Sequence, residues 1–291
     1  MGKLLSAFIG IAAYIIFAPV IGCFLAGLDR KITARMQGRK GPSIWQPLYD
    51  IRKLFSKETI IVNKTQFVHV CCFLVFMIVT GALFFGGFDI LLVFLSLTTA
   101  AMFYVFAASS TNSPVSMMGA NRELLQMLSY EPMVLLVAVG LYMAQGTFEV
   151  REIIGMDLPA IVKLPGVFIG FVAILTIKFR KSPFDLSTSH HAHQELVMGI
   201  STDMSGKMYG LIELSHWYEN VFLFGVVALF FTFNSVWSIP LTALGLFLVF
   251  FIEILIDNIN ARVKWDFMIK FAWSVTIFAA GTNLLVLQYF L

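Results

Sequence analysis

The sequence predicts an all-α integral membrane protein: a bundle of about eight transmembrane helices with two cytoplasmic docking loops. The chain of 291 residues is 59% hydrophobic and only 13% charged, whereas a soluble domain averages about 25% charged residues. Its mean hydropathy is +0.86. The apolar residues also cluster in runs of roughly 20, the length that an α-helix needs to cross a bilayer.

Eight such runs follow one another, and we expect residues 1–291 to form a single membrane domain. The runs cover about 4–28, 67–86, 88–109, 122–146, 161–180, 214–234, 238–257 and 267–290. Gly86-Gly87 predicts a tight turn between the second and third runs. Pro240 suits the first turn of the seventh run, where its missing N–H costs nothing. No run shows the alternation of a membrane β-barrel, and backbone hydrogen bonding in lipid then leaves helices.

The positions of Lys and Arg predict the orientation, because cytoplasmic loops carry an excess of both. With both termini outside, 17 of the 20 fall in inner loops, and only Lys3, Arg151 and Lys163 do not. The two long inner loops are 29–66 and 178–213. Within the first, residues 43–55 place apolar side chains at helical spacing, which predicts a short amphipathic helix in the membrane interface.

Loop 178–213 contains the most hydrophilic stretch of the chain. Histidines of such a loop are typically hydrogen-bonded to a docked partner or titrate near neutral pH, and zinc binding is the alternative. Paired haem ligands are not indicated, since only His69 and His216 lie near spans. Three cysteines are too few for an iron–sulfur cluster in this chain. The ionisable residues of the stretch are Lys178, Arg180, Lys181, Asp185, His190, His191, His193 and Glu195.

Several carboxylates lie inside the predicted spans. Placing an unpaired carboxylate in the bilayer costs free energy, so a residue of this kind is interpreted as functional by default. Glu123 and Glu131 lie eight residues apart on the fourth span. Glu213 and Glu219 flank His216 at the start of the sixth, and Glu253 and Asp257 are four residues apart on the seventh. A headgroup-level position is the simpler explanation for Glu213 and Asp257. Carboxylates of this kind could form a proton or cation path.

The chain resembles the complex I membrane subunit that contains the quinone tunnel. The resemblance runs in order over residues 30–215. It rests on Arg35-x-Gln37-x-Arg39-x-Gly41-Pro42, Gln46-Pro47, Asp50-x-x-Lys53-Leu54, Lys57-Glu58, Ser129-Tyr130-Glu131, Pro183-Phe184-Asp185-Leu186, Glu195-Leu196 and Ser205-Gly206.

Two departures from that subunit shift the interpretation. A histidine-rich run ending His-Ala-His-Gln-Glu replaces a short acidic run, and the acidic-Tyr-Ser-Gly step is Asp203-Met204-Ser205-Gly206. His216 occupies a later acidic position, with Glu213 a turn earlier. The His-Ala-His-Gln-Glu run is similar to that of the membrane anchor subunit of energy-converting, membrane-bound [NiFe] hydrogenases, a homologue of the complex I subunit.

The resemblance implies a non-catalytic core subunit of an ion-translocating oxidoreductase complex in a prokaryotic cell membrane. It implies no cofactor in this chain, a [NiFe] centre and iron–sulfur clusters in partner subunits, and ferredoxin as electron donor. The expected partners are hydrogenase small and large subunits, an iron–sulfur ferredoxin-like subunit, an antiporter-like membrane subunit and lipid, with no nucleic acid.

The sequence and the resemblance therefore predict two groups of candidate residues, and they predict no catalytic and no metal-binding residue. A quinone-binding complex I subunit is the main alternative, and a transporter without a redox partner is the other, although the two halves show no internal repeat. The predicted proton or ion path consists of Glu123, Glu131, Glu195, Asp203, Glu213, His216 and Glu253. The predicted docking and coupling surface consists of Arg35, Gln37, Arg39, Asp50, Arg180, Asp185, His190, His191 and His193.

Overall fold

The structure, a computed structural model, describes residues 2–58, 60, 63–188 and 196–290. It confirms a helical membrane bundle, since every named element of that part of the chain is a helix. The elements are α1 (Gly2–Met36), α2 (Gln46–Ser56), α3 (Lys64–Phe85), α4 (Ile90–Ser109), α5 (Pro114–Gln145), α6 (Val150–Ile154), α7 (Ala160–Lys163), α8 (Pro165–Lys178), a 3-10 turn (Gly199–Ser201), α9 (Lys207–Phe231), α10 (Ser238–Ile259), α11 (Trp265–Val275), a π-helical segment (Thr276–Gly281) and α12 (Thr282–Phe290).

Seven helices of the described ranges are long and apolar enough to cross a membrane: α1, α3, α4, α5, α9, α10 and the helix Trp265–Tyr289 that joins α11 to α12. The predicted fifth span is instead the 14-residue α8, about 21 Å long against a hydrocarbon core of about 30 Å. It is short because Pro165 starts a new helix directly after α7. The described residues thus form seven helices of spanning length and one short apolar helix.

Both long loops are shorter than predicted, because the adjoining helices extend into them. α1 continues past residue 28 to Met36, since no helix breaker occurs before Gly38, which adopts a φ of +71°. α9 begins at Lys207, directly after Gly206 with a φ of +55°. The connections therefore cover 37–63 and 179–206 in place of 29–66 and 178–213.

Two local predictions are confirmed. Gly87, with a φ of +81°, lies in the turn between α3 and α4, and Asp89 accepts a hydrogen bond from the Leu91 N–H at 2.8 Å to cap α4. The amphipathic stretch 43–55 forms α2, with Pro47 in its first turn. α2 packs against α1 and α9, and Leu48 remains half exposed on its surface.

The connections rich in Lys and Arg meet at one end of the bundle, which we call the basic end. Asn63 donates a hydrogen bond to the Ser110 carbonyl at 3.1 Å, and Gln37 donates to Asn258 at 3.2 Å. The opposite end is tied together by a bridge between Asp89 and Glu149. The charges that the sequence places on one side of a membrane thus occupy one end of the fold.

The buried core lies between α3, α4, α5, α8 and α9. α4 and α9 are the most buried spans, whereas α1, α10 and the last helix expose most of their apolar side chains. Gly119 of α5 allows the segment around Ile200 to pack directly on that helix, because a Cβ there would lie 2.2 Å from the Ile200 nitrogen. This contact brings the second long connection onto the core.

Candidate functional site

A network of buried charges forms where α8 ends at the basic end. Arg180 follows α8 by two residues and has a φ of +52°, a left-handed conformation that costs a non-glycine residue about 1 kcal/mol or more. The strain is offset by the contacts that its guanidinium makes inside the bundle. We call Glu123, Lys178, Arg180, His216 and Glu219 the Arg180 cluster.

Arg180 connects carboxylates from two spans. Its Nη2 donates to Glu123 Oε1 of α5 at 2.7 Å, and its Nη1 lies 3.4 Å from Glu219 Oε2 of α9. His216 Nδ1 lies 3.1 Å from the same Nη1 and 3.3 Å from Glu219 Oε2. Lys178 Nζ donates to the other Glu219 oxygen at 3.4 Å. The cluster therefore links α5, α8 and α9 through side chains alone.

Aromatic rings surround this cluster. Lys178 Nζ lies 4.2 Å from the centre of the Tyr130 ring, a cation–π contact. The Arg180 guanidinium lies 5.4 Å from the Tyr104 ring, and the His216 ring meets Phe73 and Tyr104 edge-on, each at 5.7 Å. Because Glu123, Lys178 and Glu219 are buried, the charges interact in a medium of lower dielectric constant than water.

The cluster is close to charge balance, with two carboxylates and two cations besides His216. Burial alone would lower the pKa of Arg180, but Glu123 and Glu219 outweigh it and raise the pKa above its ordinary value. Ser187 also donates a hydrogen bond to the second Glu123 oxygen. His216 lies between Arg180 and Glu219 and contacts both, so the three side chains form one polar group.

A cavity of about 340 Å³ adjoins the cluster at the basic end. Most of its lining side chains are polar or ionisable, which suits water and ions better than an apolar ligand. Asp185, on its wall, forms an ion pair with Arg262 at 3.0 Å. The other ionisable groups of the lining are Asp29, Tyr104, Lys178, Arg180, Lys181, Tyr209, Glu213, His216 and Asp257.

The remaining predicted path residues lie around the cluster. Glu131 lies two turns deeper along α5 than Glu123, and its Oε2 is buried without a hydrogen-bond partner among the described residues. Glu253 is fully buried on α10, and Glu213 is half-buried at the cavity. Asp203 accepts a hydrogen bond from Thr111 at 3.4 Å and does not line that cavity.

Four predicted docking residues lie at the basic end. Arg35, Gln37 and Arg39 are exposed, and Gln37 also accepts a hydrogen bond from Arg39. Asp50 of α2 pairs with Arg30 at 2.7 Å. Partial burial would raise the pKa of Asp50, but hydrogen bonds from Arg30 and Gln46 and the charge of Lys53 lower it overall.

His190, His191, His193 and Glu195 lie outside the described residues. Within the described ranges, no group of His, Cys, Asp and Glu has the arrangement of a metal site. The zinc alternative, which rests on residues 190–195, is therefore untested.

Glu219 and Lys178 belong to the cluster although they are missing from the predicted path. Glu219 is a carboxylate inside an apolar span, three residues from His216. An ionisable residue at such a position indicates a functional residue. Lys178 lies at the end of an apolar run. A lysine at that position more often extends its ammonium towards the lipid headgroups. Only the packing of α8 against α9 shows that its ammonium turns inward to Glu219.

Comparisons with known proteins agree with this architecture. The family model for NADH dehydrogenase matches residues 9–288. The chain is 28% identical to Hydrogenase-4 component C of Escherichia coli, over 85% of each chain. It is 29% identical to a subunit of an NADH-quinone oxidoreductase of Syntrophobacter fumaroxidans, over 92% of this chain and 90% of that one.

Among solved structures, the chain is similar to one in the membrane-bound sulfane sulfur reductase, an archaeal respiratory membrane complex. The TM-score is 0.82 at 24% identity, over 99% of this chain and 100% of that chain. That likeness concerns the fold, and the family model carries the assignment. The chain is a multi-pass membrane protein that belongs to the NADH dehydrogenase family.

Proposed function

We propose that the chain is the membrane subunit of an energy-converting hydrogenase complex. In this proposal it anchors the soluble [NiFe] hydrogenase arm at the basic end. It couples ferredoxin-driven proton reduction in that arm to proton or sodium translocation in the membrane. The [NiFe] centre and the iron–sulfur clusters belong to partner subunits, and this chain contributes no catalytic residue.

The observation that carries the proposal is the position of the Arg180 cluster. It lies at the basic end, beside the described part of the second long connection, and reaches into the bundle through Glu123 and Glu219. A change of charge in a docked redox arm would act on Asp185, Arg180 and His216 across a short, poorly screened distance. Carboxylates deeper in the bundle would then take up or release protons.

The assignment of this chain to a respiratory membrane complex does not depend on which soluble partner it binds. The similar proteins include a hydrogenase component and a component of an NADH-quinone oxidoreductase. The chain is therefore a membrane subunit of a complex I-like or hydrogenase-like respiratory complex. The hydrogenase role is favoured here by the histidine-rich run and by the ionisable lining of the cavity beside the cluster.

The quinone-binding alternative has one observation in its favour. A cavity of about 300 Å³ lies between α2 and α9, at the lower limit of ligand sites. Pro47, Ile51, Leu54 and Trp217 give it an apolar wall. The two functions are separated by purifying the native complex. A partner with paired Cys-x-x-Cys motifs and bound nickel supports the hydrogenase role, and a quinone photoprobe attached to Trp217 or Leu54 supports the alternative.

Orientation is tested by cysteine labelling. In a chain whose native Cys23, Cys71 and Cys72 are replaced by Ala, we expect Lys40→Cys to react only from the cytoplasmic side, because 17 of the 20 Lys and Arg residues fall in the predicted inner loops. Val236→Cys, at the opposite end and 85% exposed, is the matched control and should react only from outside. The reverse pattern would invert the proposed topology.

Docking is tested at the first connection. We expect Arg35→Ala with Arg39→Ala to release the soluble arm in detergent at moderate salt while the chain stays inserted, because both side chains are exposed at the basic end. The double variant Arg52→Ala with Lys53→Ala removes the same charge from α2 and should retain the arm. Retention by both variants would show that residues 35–39 do not hold the partner.

A further inference from the structure

A second group of carboxylates lies between α1, α9 and α10, around a cavity of about 320 Å³. This α10 cavity adjoins the cavity beside the Arg180 cluster. Five residues line both: Asp29, Phe179, Lys181, Glu213 and Asn220. The two spaces therefore share one wall at the basic end.

Glu253 forms the inner wall of the α10 cavity. It is 0% exposed, and neither carboxylate oxygen has a hydrogen-bond partner among the described residues. The nearby Thr176 hydroxyl donates instead to the Ala173 carbonyl at 3.3 Å. Glu253 lies six residues before the end of α10, about 9 Å along the helix axis. A bare carboxylate at that depth costs several kcal/mol, so it takes up a cation.

Lys181 is the cation that faces this acid, and it is shared. Its Nζ pairs with Asp29 of α1 at 2.9 Å, and its charge also acts on Glu253 and Asp257. Asp257 accepts a hydrogen bond from the Ser182 N–H at 2.9 Å. One ammonium cannot balance three carboxylates.

The other charged groups around the α10 cavity do not supply a further cation for these three carboxylates. Arg30 pairs with Asp50, Arg262 pairs with Asp185, and Glu213 adds a further carboxyl group. The surplus of acid therefore lies with Asp29 and Glu253 in the α10 cavity and with Asp257 on the wall of the adjoining cavity. A proton is the cation that this space requires, and Glu253 is the most buried of the three acids.

We propose that Glu253 is the proton acceptor of a second uptake route from the basic end, with the Lys181–Asp29 ion pair as its gate. A hydronium ion in the α10 cavity transfers its proton to the Glu253 carboxylate and leaves as water, and release reverses that step. While Lys181 is bound to Asp29, Glu253 lacks a counter-ion and holds the proton. When Lys181 moves towards Glu253, the proton leaves.

This route deepens the proposed function and rests on it. Lys181 follows Arg180 directly in the chain, so a partner that displaces the second long connection moves the gate and the Arg180 cluster together. Its inner acid, Glu253, lines the α10 cavity and not the cavity beside the Arg180 cluster, so the two routes share an entrance wall and differ in the acid that they reach.

The test uses dicyclohexylcarbodiimide, an apolar reagent that modifies protonated carboxyl groups within membranes. The carboxylic O–H adds across a C=N bond, its proton moves to nitrogen, and the adduct rearranges to a stable N-acylurea without loss of any atom. The reagent has an access path, because Leu25, Phe224 and Phe250 line both the α10 cavity and an apolar groove of about 460 Å³ on the bundle surface.

In the intact complex in inverted vesicles, we expect mass spectrometry to find the adduct on Glu253. Lys181→Ala should keep the labelling at or above the wild-type level, because no ammonium can then move to Glu253 and release its proton, whereas Asp29→Asn should lower it several-fold by freeing Lys181 for Glu253. The exposed Asp266→Asn variant should leave it unchanged. Absence of the adduct overturns the assignment of Glu253 as proton acceptor. Equal labelling in the Lys181 and Asp29 variants overturns the assignment of their ion pair as the gate.

Transport is measured separately. Glu253→Gln should keep the complex assembled and lower the ratio of ions moved to hydrogen evolved several-fold. An unchanged ratio overturns the route even if the label is found. Wild-type vesicles without any coupled ion movement would contradict the proposed function instead, while the label would still show whether Glu253 takes up a proton.

Discussion

Arg180→Gln should cause the largest loss of assembled complex among single substitutions in this chain. Among the described residues, the substitution leaves the buried Glu123 and Glu219 with Lys178 as the remaining lysine or arginine of the cluster. Removing one partner of a buried ion pair typically costs about 3–5 kcal/mol, because the remaining charge is uncompensated. Native gels of detergent extracts would measure the loss as a fall in intact complex relative to total chain in the membrane.

A charge-balanced variant separates electrostatics from a general folding defect. Arg180→Gln combined with Glu123→Gln removes one cation and one anion, so assembly should recover towards wild type while ion translocation stays low. Arg180→Lys keeps the charge, but a single ammonium cannot contact Glu123 and Glu219 as the planar guanidinium does, and its assembly should be intermediate. Normal assembly and coupling in Arg180→Gln would refute the role of this cluster.

Glu131→Gln should uncouple ion movement from electron transfer. Gln is nearly isosteric, so the complex should assemble, and reduced ferredoxin should still drive hydrogen evolution in uncoupled membranes. Gln cannot carry a proton, and proton transfer by a positioned side chain commonly contributes about a hundredfold or more. We therefore expect the ion-to-hydrogen ratio to fall at least about tenfold, measured as hydrogen evolution and proton or sodium uptake in the same inverted vesicles.

The simpler role for Glu131 is structural, as an acceptor for a neighbouring group. Its buried Oε2 has no such partner among the described residues, and Pro132 removes the N–H that would bond to the Leu128 carbonyl. Glu152→Gln, on α6 at the opposite end, is the control and should change neither activity. An unchanged ion-to-hydrogen ratio in Glu131→Gln would remove this residue from the path.

Parts of the candidate site were readable from single positions in the sequence. Glu123, Glu213, Glu253 and His216 were recognisable because an ionisable group in an apolar run is expensive unless it is paired or hydrated. An ionisable residue in an apolar run has a known position along one helix, but its partner on another helix does not follow from the run. Glu123 is therefore recognisable without Arg180 as its ion-pair partner, and Glu219, although recognisable as a carboxylate of the sixth span, is missing from the predicted path.

The length of α8 shows a related limit. Residues 161–180 read as one apolar span, but Leu164-Pro165 divides them into α7 and α8. Hydropathy averages over such a break because it counts apolar side chains and not backbone hydrogen bonds. The consequence is functional, since the short α8 ends within the bundle and carries Lys178 and Arg180 to buried carboxylates.

The sequence by itself determined the membrane class, the helical architecture, the segregation of basic residues to one end and the amphipathic α2. Each of these follows from transfer free energies and from periodicity within one segment. The tertiary structure alone decided which charges meet. Arg180 lies 57 residues from Glu123 and 39 from Glu219 in the chain, and Lys181 lies far along the chain from Asp29. These contacts depend on how helices pack, which no local pattern specifies.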